Sequence, residues 1–249
     1  MIIIKSQREI AKIAAACRIV AEILEHLTAF VKAGISTADI ETFVDKEIRK
    51  RNAIPAFRGY RGYPADTCIS INDQVVHGIP SPKVIIKNGD IISIDLGVVL
   101  DGFYGDGAIT IPVGDVDDEA MQLIRVTEEA LSLGIRSAVV GNRVSDISAA
   151  IQQHVEAHGF SVVRAFVGHG IGQSLHEDPQ VPNFGRPGQG PRLKEGMTLA
   201  IEPMVNAGGA EVKILDDGWT AVTADGSLSA HFEHTIAITK NGPKILTKP

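Results

Sequence analysis

One constraint narrows what this chain can fold into before any other: it repeats itself 107 positions on. In the first half, Ile10, Ile13, Ala14, Cys17, Val20, Ala21, Leu24 and Leu27 fall at helical spacing along one face. Ser6 and Glu9 precede them as a capping box, each placed to satisfy a free backbone N–H. This predicts a helix over 6–31, stopped by Gly34. A second helix begins at Ser36 or Thr37 and carries Ile40, Phe43, Val44 and Ile48. Advanced by 107, Cys17, Val20 and Leu24 become Ile124, Thr127 and Leu131, in a helix expected over 119–138. Gly34 becomes Gly141, Asp39-Ile40 becomes Asp146-Ile147, and Phe43, Val44 and Ile48 become Ala150, Ile151 and Val155. Helical periodicity could produce those matches by chance. It does not explain why Lys87-Asn88-Gly89 returns as Lys194-Glu195-Gly196, and Ile94-Asp95 as Ile201-Glu202, at the same offset.

Two looser matches need other offsets, as loops of unequal length would require. His77-Gly78-Ile79 resembles His169-Gly170-Ile171, and Asp106-Gly107-Ala108-Ile109-Thr110 resembles Glu233-His234-Thr235-Ile236-Ala237. Each half reads helix, glycine, helix, loop, strand, strand. The expected fold class is α+β: two pseudo-symmetric lobes about a twofold axis, strands inside and helices outside. No Pro/Gly/Ser linker divides the lobes. The expectation is one catalytic domain over 1–249, with repeats of about 6–112 and 113–240.

The strands carry acids where apolar residues belong. Asp95 lies inside the apolar run 90–96, and Asp106 precedes the strand pattern of Ala108-Ile109-Thr110-Ile111. Glu202 ends the run 197–201, and Glu233 interrupts 231–238. One such acid alone is better read as salt-bridged. Four of them, paired by the repeat and with no Lys or Arg in the same strands, would repel one another unless a cation cluster lay between them. The run 162–167 reads as a strand, and Gly168-His169-Gly170 after it lets the backbone turn an imidazole toward that cluster. A set of Asp95, Asp106, His169, Glu202 and Glu233 is oxygen-rich with one nitrogen. It suits two divalent ions such as Mn²⁺, Fe²⁺, Co²⁺ or Zn²⁺, bridged by carboxylates and poised for hydrolysis.

Other motifs fail. Gly168–Gly172 lacks dinucleotide spacing; His176-Glu177-Asp178-Pro179 lacks the second histidine of a zinc-protease helix and has a proline in its path; no Gly-X-Ser-X-Gly occurs. His26, His154 and His158 fall on helix patterns and read as surface residues. A net charge of −6, with Arg49-Lys50-Arg51 the longest basic run, argues against nucleic acid. Two lone cysteines, no signal-peptide pattern and no apolar stretch near 20 residues point to the cytoplasm and away from membranes.

Several segments together resemble the type I methionine aminopeptidases over nearly the whole chain. They are Gly59-Tyr60-Arg61-Gly62-Tyr63-Pro64, Cys68-Ile69-Ser70-Ile71-Asn72, His77-Gly78-Ile79-Pro80, Gly102-Phe103-Tyr104-Gly105-Asp106, Gly168-His169-Gly170-Ile171-Gly172, Ile201-Glu202-Pro203-Met204 and Asp217-Gly218-Trp219-Thr220. The resemblance implies the pita-bread fold, with a central antiparallel sheet. It implies that Asp95 serves one metal, that His169 and Glu202 serve the other, and that Asp106 and Glu233 bridge them. Glu202 would also shuttle the proton of the attacking water. His77 and His176 would be catalytic, substrate-contacting histidines and not ligands, although the repeat pairs His77 with His169. Tyr60, Tyr63, Cys68 and Trp219 would line a methionine pocket. The implied activity is removal of the initiator methionine from nascent polypeptides with a small second residue, met at the ribosome. A monomer is expected, because the sequence leaves no long exposed apolar stripe over. Leu175 departs from the Phe of some members, and Gly97 and Gly107 from hydroxyl residues; these bear on pocket shape and on hydrogen bonds near the metals. The alternatives are a proline dipeptidase-like enzyme of the same fold, whose members generally carry an extra N-terminal domain, and a non-catalytic binding module.

Overall fold

In the computed structural model, which describes residues 1–248, four helices lie where the repeat puts them: α1 (Gln7–Phe30), α2 (Thr37–Lys50), α3 (Asp118–Ser137) and α4 (Val144–Ala157). Ser6 and Glu9 form the expected capping box on α1. Ser36 and Asp39 form another on α2, and Asp146 returns to the backbone N–H of Arg143 at the start of α4.

The repeat is also visible in the hydrogen bonds. Gly34 N donates to Ile86 O and, 107 positions on, Gly141 N donates to Leu193 O. Ile86 N donates to Ile35 O; Leu193 N donates to Asn142 O. Isolated bridges Ser36–Ile85 and Arg143–Arg192 are the same contact in the two lobes. Both glycines that stop the first helix of each lobe have φ near +95°, 94° at Gly34 and 98° at Gly141, open to glycine and strained for other residues.

Each lobe has its own apolar core. Val20, Leu24 and Leu27 of α1 meet Ile40, Val44 and Ile48 of α2 over Ile92, Ile94 and Leu96. Leu123, Val126 and Ile135 of α3 meet Ile147, Ile151 and Val155 of α4 over Leu199, Ile201 and Ile236. Between them runs a nine-stranded sheet. Its main path joins Ile54–Pro55, Ile91–Leu100, Phe103–Pro112, Glu233–Thr239, Thr198–Ile201, Gly168–Gly170 and Glu177–Val181, every neighbour antiparallel. Thr67–Ile71 and Gly242–Ile245 pair onto it at the sides. α1 lies so close beneath that a Cβ on Gly105 would stand 2.5 Å from Cys17 N.

One expected strand is mostly absent. Of 162–167, only Val162 belongs to a strand, Ser161–Val162; Val163 N still donates to Met204 O, and then the chain leaves the ladder. Ala165, Phe166 and Val167 line a cavity instead, so their apolar character reflects that wall and not a sheet interior. No helix among the described residues is long and apolar enough to cross a membrane.

Candidate metal centre and substrate cavity

Sheet register gathers the five candidate ligands on one face. Successive side chains on a strand point to opposite faces, and directly paired residues share a face. Asp95 pairs with Cys68 on one side and with Ala108 on the other, and Ala108 pairs with Glu233. Asp106 is two residues from Ala108. Thr235, two beyond Glu233, pairs with Ala200; His169 pairs with Ala200 as well, and Glu202 lies two residues past it. All five therefore look into the same space, with α1 against the opposite face. Among them, Asp106, His169 and Glu233 bring one donor atom each within 4.8 Å of one another. His169 Nε2 is 3.4 Å from Glu202 Oε1 and 3.8 Å from Asp106 Oδ2.

The electrostatics are those of a site short of positive charge. Burial raises the Asp95 carboxyl to about 7. Burial, then the charges of Asp95 and Glu202, raise Asp106 well above the carboxylate range. Glu202 is raised by burial and Asp95, and Glu233 by burial and then Asp106, Glu202 and Asp95. Asp95 Oδ1 and Glu233 Oε1 are buried with no hydrogen-bond partner. Uncompensated carboxylates of this kind cost several kcal/mol each. His169 Nδ1 donates to Gly170 O at 2.9 Å, which fixes the tautomer with a bare lone pair on Nε2, and burial lowers its pKa to about 4. Orphaned acid oxygens, a neutral imidazole aimed among them and hard donors throughout fit divalent cations.

A cavity of about 680 Å³ opens over this face. Tyr60, Tyr63, Cys68 and Trp219 all line it, as do His77 and His176. Tyr63 and Trp219 meet edge to face at 5.1 Å, and Cys68 and Leu175 are buried in the same apolar cluster with Phe57. His176 Nδ1 and Tyr60 Oη share a 2.7 Å hydrogen bond, and its ring lies 4.1 Å from that of His169. Burial, then His169, lowers the His176 pKa to about 3. His77 sits at φ 62°, the left-handed region that side-chain-bearing residues seldom adopt, with its ring edge-on to Phe166 at 5.2 Å.

The three departures now have surroundings. Leu175 is a wall residue of the apolar cluster. A Cβ on Gly97 would stand 2.6 Å from the Phe57 ring, so that ring fills the space a hydroxyl would take. Gly107 faces away from the acids: its nearest neighbours are Val20 and Leu24 of α1.

Some residues here were not singled out by sequence. Glu177 accepts from Gln173 N at 2.9 Å and Ser174 N at 3.3 Å and pairs with the buried Lys5 at 2.5 Å, so it clamps the turn that carries His176. His231 is buried with Nε2 unpartnered, 3.9 Å from Glu202 Oε2, its pKa lowered to about 3 by burial. A polar residue two positions before Glu233 in an apolar run was the available signal.

Known proteins give the same picture. The family model for metallopeptidase family M24 matches residues 11–240. A methionine aminopeptidase of Clostridium perfringens is 56% identical over 247 residues, covering 99% of each chain. The crystal structure of methionine aminopeptidase from Thermotoga maritima superposes with a TM-score of 0.99 at 50% identity, covering 100% of both chains. A prolidase from Pyrococcus horikoshii shares the fold at a TM-score of 0.79 and 25% identity, but this chain, covered to 99%, spans only 63% of it. On these grounds the chain belongs to metallopeptidase family M24 and, within it, to the methionine aminopeptidases.

Proposed function

We propose that the chain removes methionine from the N-termini of polypeptides whose second residue is small, by metal-dependent hydrolysis of the first peptide bond. The observation that carries this is the single sheet face on which acids from both lobes, two of them with orphaned oxygens, border an aromatic and thiol-lined cavity. In this reading Asp95 would hold one divalent cation, His169 and Glu202 would hold the other, and Asp106 and Glu233 would be shared by both. When bound, the two cations supply Lewis acidity toward the peptide carbonyl and the attacking water, and the positive charge the acids lack.

The chain's own groups do the rest. Tyr60, Tyr63, Cys68 and Trp219 enclose the methionine side chain; burial holds the Cys68 thiol protonated and apolar, suited to a thioether. Glu202 takes the water's proton on a carboxylate oxygen and returns it to the departing amine. With its pKa near 3, His176 is neutral at pH 7 and has one proton to give. The Tyr60 hydroxyl donates to Nδ1, which keeps that proton on Nε2, facing the oxyanion. His77 contacts the substrate amide, held there by its left-handed backbone. His77, His176 and Tyr60 crowd the position after methionine, which excludes large residues. We place this activity in a monomer, one catalytic domain over 1–249 with repeats 6–112 and 113–240, acting in the cytoplasm on nascent chains at the ribosome.

Peptides Met-Ala-Ser and X-Pro, incubated with Mn²⁺ or Co²⁺ and again with a chelator, test the proposal. It expects chelator-sensitive release of methionine and no X-Pro cleavage. Cleavage of X-Pro alone would make the chain a dipeptidase, and cleavage of neither would make it a binding module.

A further inference from the structure

Outside the cavity, Glu129 on α3 and His154 and His158 on α4 bring one donor atom each within 4.8 Å of one another. His154 Nε2 is 3.0 Å from Glu129 Oε2, a few tenths of an ångström inside the spacing of about 3.3–3.6 Å that two donors on one tetrahedral cation have at about 2.0–2.2 Å each. His158 caps α4, and its Nδ1 donates to His154 O at 2.8 Å. That bond leaves the Nε2 lone pair of His158 free, on an exposed ring 4.5 Å from His154.

The repeat says what belongs between these groups. Glu129, His154 and His158 each stand 107 positions after Glu22, Glu47 and Arg51. In the first lobe Arg51 caps α2, its guanidinium donates to Glu47 O at 3.0 Å, and it pairs with Glu22 at 3.1 Å and with the Glu47 carboxylate. The first lobe thus has a cation built in, tying its two helices together. In the second lobe the same three places hold one carboxylate and two imidazoles. No Lys or Arg among the described residues pairs with Glu129. The cation-bearing side chain has been replaced by imidazoles at i and i+4 on one helix, the spacing that lets two rings share an ion.

We infer that Glu129, His154 and His158 form a further divalent-metal site that ties α3 to α4, as Arg51 ties α1 to α2. Two imidazoles and one carboxylate suit Zn²⁺, Cu²⁺ or Ni²⁺ over harder ions, whereas the oxygen-rich centre in the cavity accepts Mn²⁺. Rotation of the exposed His158 side chain brings its Nε2 in, and water completes the coordination.

The test is a Zn²⁺ titration of the full chain beside His158→Ala and Glu129→Gln, with binding counted per chain and thermal unfolding recorded. Any binding in the cavity is common to all three and cancels. Wild-type should bind one Zn²⁺ more than His158→Ala. Its melting temperature at Zn²⁺ a hundredfold above Kd should rise about 5–10 °C beyond the rise in that variant. A Cu²⁺-loaded sample should lose nitrogen hyperfine structure at this site in His158→Ala, while Mn²⁺-supported peptide cleavage stays unchanged. Equal Zn²⁺ counts and equal melting shifts in wild-type and variant would overturn the inference.

Discussion

The hydrogen bond between Tyr60 and His176 gives a prediction in which two substitutions must fail to add. In the proposed reaction His176 donates from Nε2 to the developing oxyanion, and Tyr60 acts on that step only by holding the other ring nitrogen, at 2.7 Å. Removing an oxyanion donor outright costs about 10²–10³ in rate, or about 2.7–4 kcal/mol. His176→Ala should fall in that range in kcat and leave metal binding intact, because the proposed reaction gives that side chain no part in holding the cations. Tyr60→Phe keeps the ring that lines the cavity and removes one neutral hydrogen bond, worth about 0.5–1.5 kcal/mol, so the rate should drop about 2- to 10-fold. The double variant should be no slower than His176→Ala, since there is no imidazole left to orient; the coupling energy equals the whole effect of Tyr60→Phe. Steady-state cleavage of a Met-Ala-Ser peptide by the four proteins measures this. Additive losses would mean that Tyr60 acts on the substrate by itself, and loss of metal from His176→Ala would make that histidine a ligand.

Four further outcomes follow. Gly105→Ala drives a Cβ to 2.5 Å from Cys17 N and 2.8 Å from Ala16 C, backbone atoms that cannot rotate away. The variant should lose about 1–3 kcal/mol, a fall of about 3–10 °C in thermal unfolding, and an unchanged melting point would mean α1 is not seated on the sheet. The raised acids hold protons in the metal-free fold, so Mn²⁺ binding at pH 7 should release protons, read by calorimetry in buffers of differing ionisation enthalpy; zero release would refute the shared cause assigned to Asp106, Glu202 and Glu233. The sign for stability is the same: folded-state pKa values above the unfolded ones mean that the metal-free fold binds more protons, so its stability falls as pH rises through the raised values. Above about pH 7.5 the lowered histidines, His77, His169, His176, His231 and His234, are largely neutral in both states, and the chelated protein should melt progressively lower as pH rises beyond that point. Among Met-X-Ser peptides, X = Ala should be cut far faster than X = Leu, and equal rates would remove the crowding attributed to His77, His176 and Tyr60.

Much of the fold and of the site is legible in the sequence. Capping boxes and apolar spacing set the helices to within a residue or two, because those signals are local. The acids Asp95, Asp106, Glu202 and Glu233 were conspicuous because buried strands reject charge, and the repeat paired them. Register was not legible: that Ala108 lies between Asp95 and Glu233, and Ala200 between His169 and Thr235, depends on which strands meet. For the same reason Lys5, distant in sequence, gave no hint of its pairing with Glu177 beneath the His176 turn. The strand expected over 162–167 failed because a cavity wall and a sheet interior demand the same apolar residues. Gly107 was misjudged in aspect: one residue beside Asp106 on a pleated strand, it belongs to the opposite face.

The central claim is that two cations sit between the lobes, shared by Asp106 and Glu233. It is tested most directly by counting Mn²⁺ ions per chain, with peptide cleavage followed in the same samples, for wild-type, Asp95→Asn and Asp106→Asn. Mn²⁺ favours oxygen-rich donors and so reports the cavity. A terminal ligand lost should empty one site, whereas a bridging carboxylate lost removes charge from both and leaves the cations to repel each other. The account predicts two ions for wild-type, about one for Asp95→Asn and fewer for Asp106→Asn, with hydrolysis strongly reduced in both variants. Full two-ion occupancy in Asp106→Asn, or the wild-type rate in either variant, would contradict it.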